Sequence, residues 1–509
     1  MDFLGPSSVA IGIVAFAGLF ILYVFTKQTP PKGFRRIPGP KSVPIVGNIF
    51  QLSSQPQKEL QLWARQYGEL FQLKLGTEQW ICLNSPSVVK ELLDKQSAVT
   101  SGRVPMPVAS DLLLTPKMSR TFMPSQEFEA KQLIWDILTD NHNETDFYMH
   151  VRRYATSVIM TSTYGKRIPK WECEDVRKIY GVMKDFSESI APGTFLADLI
   201  PPLANIPTWR QTWRKRALLY QKRQASIWMR YWTRLCQQIA DKRGPDCFVK
   251  QIMDTEFQKL NTSELQGVFL AGFPPAMIEA GSETTSSALN SVLKYLAANP
   301  ATIQCAHAEI ASVVGDSRSP TFADEESLSY VRAIVKEVLR LRPSTDVGTL
   351  HYATQAVTYK DYYIPANTVL VINHYALQRD PARYSEPDLF MPERFLNHPH
   401  KAGYYSAHPD PYVRDHFSFG AGPCSSPLPR FSGRDLLPPL GPDGKELALV
   451  TDDDALEEGT VTIPKIYRLR FVPRNAKVEQ TLRNEWDAAC RDGYFLGSVK
   501  VTASGVETS

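Results

Sequence analysis

Residues Val9–Phe25 (VAIGIVAFAGLFILYVF) are seventeen consecutive positions without a charge. As a helix this run spans roughly 25 Å, about the hydrocarbon thickness of an endoplasmic reticulum bilayer. Beyond it the pattern becomes amphipathic. Glu59–Tyr67 reads as a short helix, while Leu70–Leu75 and Trp80–Leu83 alternate or run apolar and predict a hairpin. Helical periodicity then dominates from Gln126 to Arg342, with strand patterns returning at Thr358–Tyr363 and Thr368–Asn373. No internal repeat is present. The predicted fold class is mainly α with small β-sheets, preceded by one N-terminal transmembrane helix.

A secretory signal peptide would need a positive n-region before the apolar run. Here that region holds Asp2 and no Lys or Arg, whereas Lys27, Lys32, Arg35 and Arg36 follow the run. The positive-inside rule then places the rest of the chain in the cytosol, with the sequons at Asn143 and Asn261 on the side that is not glycosylated. Ile37-Pro38-Gly39-Pro40 reads as a stiff hinge, because Pro fixes φ and removes a backbone donor. The predicted division is an anchor over 1–26, a basic hinge over 27–40, one globule over 41–475 and a tail over 476–509.

Composition narrows the class. Among 509 residues, 43% are hydrophobic and 22% charged, which excludes a disordered or collagen-like chain. The net charge of +4 is too small to argue for nucleic acid globally. Seven scattered Cys without a CxxC argue against a disulfide scaffold and for a reducing compartment. One stretch is strongly basic: Trp209–Arg243 holds ten Lys or Arg against one acid, Asp241, with four Trp interleaved. Beside a membrane anchor, such a helix fits anionic headgroups or an acidic protein partner better than nucleic acid.

Three segments carry candidate chemistry. Ala280-Gly281-Ser282-Glu283-Thr284-Thr285 lies within a helical pattern running to about Ala298. A mid-helix Gly costs about 1 kcal/mol relative to Ala, so it needs a reason. A small residue lets a flat ligand reach the backbone, and the neighbouring carboxylate and hydroxyl can relay protons; a plain packing role fits the hexapeptide equally well. Pro274-Pro275 is expected to start this helix late or kink it. Glu337 and Arg340, at i and i+3, share a helix face. Alone they read as a surface ion pair, but Arg394 of Pro392-Glu393-Arg394-Phe395 could complete a buried Arg–Glu–Arg network. Phe417 to Cys424 (FSFGAGPC) is a Gly-rich loop ending in Cys. A thiolate is a strong axial ligand for haem iron, although a lone Cys also serves as a small buried hydrophobe.

Taken together and in this order, the three segments resemble those of a microsomal cytochrome P-450, a haem-thiolate monooxygenase of the kind fungi use in secondary metabolism. Tyr362-Tyr363-Ile364-Pro365 and Arg379-Asp380-Pro381 follow the same family's run. The resemblance implies the cytochrome P-450 fold around haem b, with Cys424 as the axial thiolate and Phe417 and Gly420 shaping its loop. It implies Ala280 and Gly281 over the haem face, Glu283 and Thr284 delivering protons to iron-bound dioxygen, and His351 facing a propionate. Glu337, Arg340 and Arg394 become the structural triad behind the Cys loop. It further implies a lipophilic small-molecule substrate, an endoplasmic reticulum location and electrons from a separate NADPH-dependent reductase, since the chain has no GxGxxG or flavin-binding segment.

Two departures from the family touch haem contacts. Gly422 and Ser426 stand where the family has Arg and Gly, and none of the nine Trp has Arg or Lys four residues on, so a Trp-x-x-x-Arg helix is missing near 111–115. Six Pro between 423 and 442 forbid the long helix that normally follows the Cys. Weak haem retention, or a non-catalytic relative, is therefore an expectation alongside the monooxygenase.

Overall fold

In the computed structural model the described residues are 30–44, 46–76, 78–100, 121–140, 142–190, 205–255, 273–348, 350–400, 402–406, 408–418, 434–457 and 461–506, with single positions 18 and 195. The main helices are α1 (Pro56–Tyr67), α2 (Met123–Thr139), α3 (Asp146–Tyr164), α4 (Glu174–Ile190), α5 (Thr212–Ala240), α6 (Phe248–Thr255), α7 (Phe273–Ala298), α8 (Pro300–Val313), α9 (Ser329–Leu341), α10 (His374–Gln378) and α11 (Ala476–Asp492). Strands are short: β1 (Leu70–Leu75), β2 (Glu78–Leu83), β3 (His351–Tyr352), β4 (Val357–Tyr359), β5 (Tyr362–Ile364), β6 (Val369–Ile372), β7 (Arg434–Leu437), β8 (Arg470–Pro473), β9 (Tyr494–Leu496), β10 (Val499–Thr502) and β11 (Gly505–Val506). The chain is mainly helical with small sheets. The apolar run Val9–Phe25, apart from Gly18, lies outside the described residues; among those described, no helix is long and apolar enough to cross a membrane.

The central helix is α7. Pro274 and Pro275 sit in its first turn, where a missing N–H is no loss. The described helix begins at Phe273 and contains the pair, so it does not wait until after it. Downstream, polar side chains pin α7 to a later segment: Ser287 donates to the Thr462 carbonyl, and the Tyr467 hydroxyl donates to the Asn290 carbonyl. Leu289 and Leu293 of α7 share a core with Tyr148 and Val151 of α3 and Val338 and Leu341 of α9. The start of α9 is capped by another helix. Leu328 offers no capping oxygen, and Glu309 of α8 accepts from the Tyr330 and Val331 amides at 2.7 and 3.0 Å.

The four-stranded sheet has the order β1-β2-β6-β3. β1 and β2 form the predicted hairpin, with Leu70 opposite Leu83. β6 joins β2 in parallel, and His351 of β3 lies opposite Leu370 of β6. The strand predicted at Thr358–Tyr363 is instead the hairpin β4–β5, with Tyr359 opposite Tyr362 and Lys360 at φ 51°. Alternation concealed the reversal, because polar turn residues look like outward-facing strand positions.

The basic stretch finds its acids within the chain. Arg216, Arg223 and Arg230, spaced by two helical turns on α5, pair with Glu188, Asp185 and Asp175 of α4 at 2.7, 2.8 and 2.6 Å. Trp228 and Trp232 are buried between these helices and α3, whereas Trp209 is exposed with Arg210 stacked on it. Part of the expected membrane- or partner-facing charge is therefore satisfied inside the fold.

Residues 475–506 are packed onto the fold. Asn475 caps α11 by accepting from the Val478 amide, and Trp486 of α11 meets Phe128 of α2 edge-on. Beneath this contact lies a buried charge network that sequence reading did not find. Glu129 is fully buried and pairs through Oε2 with Arg153 of α3 and through Oε1 with Arg167, and Ser157 also donates to Oε1. Removing one partner from such a network leaves an uncompensated charge. Glu129→Gln is expected to lower unfolding stability by about 3–5 kcal/mol, seen as a lower urea midpoint without loss of helical circular dichroism before the transition.

Candidate functional site

Glu337 and Arg340 are adjacent on α9 and both have no exposed side-chain area. The Arg340 guanidinium forks onto the carboxylate, Nε to Oε2 at 2.7 Å and Nη2 to Oε1 at 2.8 Å. Arg394, from the short turn at Pro392–Phe395, adds a third contact from Nε to Oε1 at 3.1 Å, and the Met391 amide donates to that oxygen at 2.9 Å. The expected Arg–Glu–Arg arrangement is thus present as geometry, and the surface-pair alternative is excluded by burial.

This network reaches the start of the Cys loop through groups that the sequence did not flag. Arg340 Nη1 donates to the Gln378 carbonyl at 2.6 Å, and the Gln378 side-chain oxygen accepts from the Phe417 amide at 2.8 Å. Ser418 Oγ donates to the Leu339 carbonyl at 2.5 Å. Phe417 is fully buried between the guanidinium groups of Arg383 and Arg414. Tyr384 donates to the Asp415 carbonyl, and Lys336 pairs with the Asp415 carboxylate at 2.8 Å. Residues 414–418 are therefore held on every side. Gly420 and Cys424 follow directly and lie outside the described residues, as do positions 111–115 and 423–433. Within the Pro-rich stretch, residues 434–437 form strand β7.

On α7, Ala276 and Ala280 are exposed in a helix that is otherwise largely buried, and Thr284 follows one turn after Ala280. Thr284 Oγ1 donates back to the Ala280 carbonyl at 2.6 Å. Gly281 does not lie on that open face. A Cβ there would come within 2.8 Å of Ile159 Cγ1 on α3, so its smallness permits close helix packing. Burial raises the Glu283 carboxyl above its usual range, and the charge of Arg152 partly opposes this. Glu279, one turn earlier and absent from the sequence-based candidates, is pushed to about 7 by burial alone. Its only sequence signal is an acid inside an apolar stretch. His351 is buried in β3.

The small side chains at 276 and 280 leave room on α7 for a flat apolar group, and the loop base at 414–418 is fixed to the fold ahead of Cys424 in the sequence.

The family model for cytochrome P450 matches residues 37–127 and 113–425. The chain is 34% identical to cytochrome P450 monooxygenase pgmC of Aspergillus terreus, covering 92% of each. It is 32% identical to cytochrome P450 monooxygenase verL of Clonostachys rogersoniana, over 94% of this chain and 95% of that protein. It is 31% identical to cytochrome P450 monooxygenase polD of Polytolypa hystricis, over 93% and 96%.

Two outcomes follow from the loop base. Gln378→Leu leaves the buried Phe417 amide without an acceptor and is expected to cost about 1–3 kcal/mol, measured by urea denaturation. Burial also lowers His416 to about 4 although Asp415 pulls the other way, and its Nδ1 accepts from the Ser418 amide. The unfolded imidazole titrates near 6.5, so between about pH 6.5 and 4 the unfolded chain binds the extra proton and stability falls with pH. The loss in that window is expected on the order of 1–3 kcal/mol, and His416→Gln should flatten the pH profile of the denaturation midpoint.

Proposed function

The chain belongs to the cytochrome P450 family, and from that premise we propose that it is a membrane-anchored monooxygenase placing one atom of dioxygen in a lipophilic small molecule within a secondary-metabolite pathway. The observation that carries this reading is the chain of contacts from Glu337 through Arg340 and Gln378 to Phe417, which fixes the backbone leading into Cys424.

Cys424 would hold haem b by its thiolate, with Phe417 and Gly420 shaping the loop and His351 facing a propionate. When bound, the haem supplies the redox centre that activates dioxygen, and thiolate donation favours O–O cleavage. The chain's own residues do the rest. Ala280 keeps the face of α7 clear. Thr284 Oγ1 holds a proton directed at the Ala280 carbonyl. The raised Glu283 carboxyl is available to resupply that proton, since a carboxyl shifted toward neutrality gives and takes protons more readily at cellular pH. Glu337, Arg340 and Arg394 hold the loop base rigid while charge changes at its tip. Val9–Phe25 serves as a single-pass anchor in the endoplasmic reticulum with the globule in the cytosol, where an NADPH-dependent reductase delivers electrons.

Haem retention is expected to be weak. The family match ends at residue 425, its two stretches overlap over 113–127, and Gly422 replaces a cation beside the Cys. The test is spectroscopic. Protein purified with added haem is expected to show the Soret band of a thiolate–carbonyl complex after reduction under carbon monoxide, with substoichiometric haem when none is added. Cys424→Ser should abolish that band. A band that survives the substitution would assign the iron to another ligand and overturn the reading.

A further inference from the structure

We infer that Glu279 selects the substrate by accepting a hydrogen bond from a hydroxyl group on an otherwise lipophilic molecule bound along the open face of α7. The inference rests on the monooxygenase reading above and names the substrate class for that same site.

Residues 276, 279, 280 and 283 stand at i, i+3, i+4 and i+7 of α7 and so share one face. On this face Ala276 and Ala280 are exposed and small, leaving Glu279 as its polar mark one turn before Glu283. The Glu279 Oε1 atom is shut away from solvent and has no hydrogen-bond partner among the described residues. Three fully or largely buried carboxylates among the described residues are answered by charge. Glu129 has Arg153 and Arg167, Glu337 has Arg340 and Arg394, and Asp453 has Arg342 and the Tyr375 hydroxyl. Buried polar atoms in folded proteins are nearly always hydrogen-bonded, so an orphan beside an open apolar face points to a ligand that supplies the partner.

The chemistry favours a hydroxyl over an ammonium, because beside an apolar face a cation must give up its water at far greater cost than a hydroxyl that gains one hydrogen bond. Burial raises the Glu279 carboxyl to about 7, in keeping with a site that disfavours charge. Either carboxyl form accepts an O–H, and the protonated form can also donate. The surrounding alanines leave the lipophilic body to bind by apolar contact.

The experiment uses the full-length, haem-reconstituted chain in detergent and three matched fluorescent probes: butylpyrene, pyrenebutanol and pyrenebutylamine. Binding is read by fluorescence quenching without reductase or NADPH. Wild type is expected to bind the alcohol about tenfold more tightly than the hydrocarbon, the value of one hydrogen bond to a buried group. Glu279→Leu should bring the two within about twofold, and Glu279→Gln, which keeps an accepting oxygen, should retain the preference within about threefold. The inference is overturned if wild type shows no hydroxyl preference, if the preference survives in Glu279→Leu or vanishes in Glu279→Gln, or if the amine binds tightest. Haem is read separately. A chain with the thiolate band and oxidase turnover but no hydroxyl preference removes only this inference, whereas a Glu279-dependent preference in a chain that takes up no haem removes only the monooxygenase reading.

Discussion

A carboxylate with no water around it is either answered by positive charge or driven toward its neutral form, and in this chain the first answer organises the base of the site. Glu337 is fully buried and receives Arg340, Arg394 and the Met391 amide. Desolvating three ionised groups is expensive, and the mutual attraction offsets the cost only when every donor is well placed. The remaining donors of Arg340 and Arg394 are therefore spent on backbone carbonyls at Gln378, Pro387, Ser385 and Leu389. The network thus fixes an irregular segment that has no regular secondary structure to hold it. Through Gln378 that order passes to Phe417, and through Leu339 to Ser418.

Ion pairs elsewhere divide by environment. Glu129 with Arg153 and Arg167 is buried and joins α2 to α3, so breaking it leaves a charge in a low-dielectric setting. The three arginines of α5 that meet acids of α4 are about half-exposed, and screening by water leaves each pair worth little. What fastens α5 is the apolar seam of Ile227, Trp228, Tyr231, Trp232 and Leu235. The same helix thus carries a dry face that folds it and a wet face whose charges set its solubility and register.

The α7 helix shows how one element meets opposed demands. Gly281 serves a tight crossing with α3, while Ala280 beside it keeps an open face clear. A small residue reads identically in both roles, so the neighbours alone decide its function. The motif AGSETT carried the reading of the helix correctly, yet taking Gly281 off the ligand face needed the position of Ile159.

The sequence by itself determined the mainly helical class, the β1–β2 hairpin, the basic helix and the pairing of Glu337 with Arg340, because each depends on local periodicity or on spacing within a few residues. It also determined the family, through motifs whose order along 509 residues is far more specific than any one of them. The structure alone decided which acids meet the arginines of α5, that Thr358–Tyr363 turns back on itself, that Gln378 links Arg340 to Phe417, and that Glu279 Oε1 has no hydrogen-bond partner among the described residues. Apart from that local turn, these depend on residues tens of positions apart, and burial is a property of the assembled fold. Local pattern fixes which face of an element is apolar; only the packed chain fixes what that face and its few polar atoms will touch.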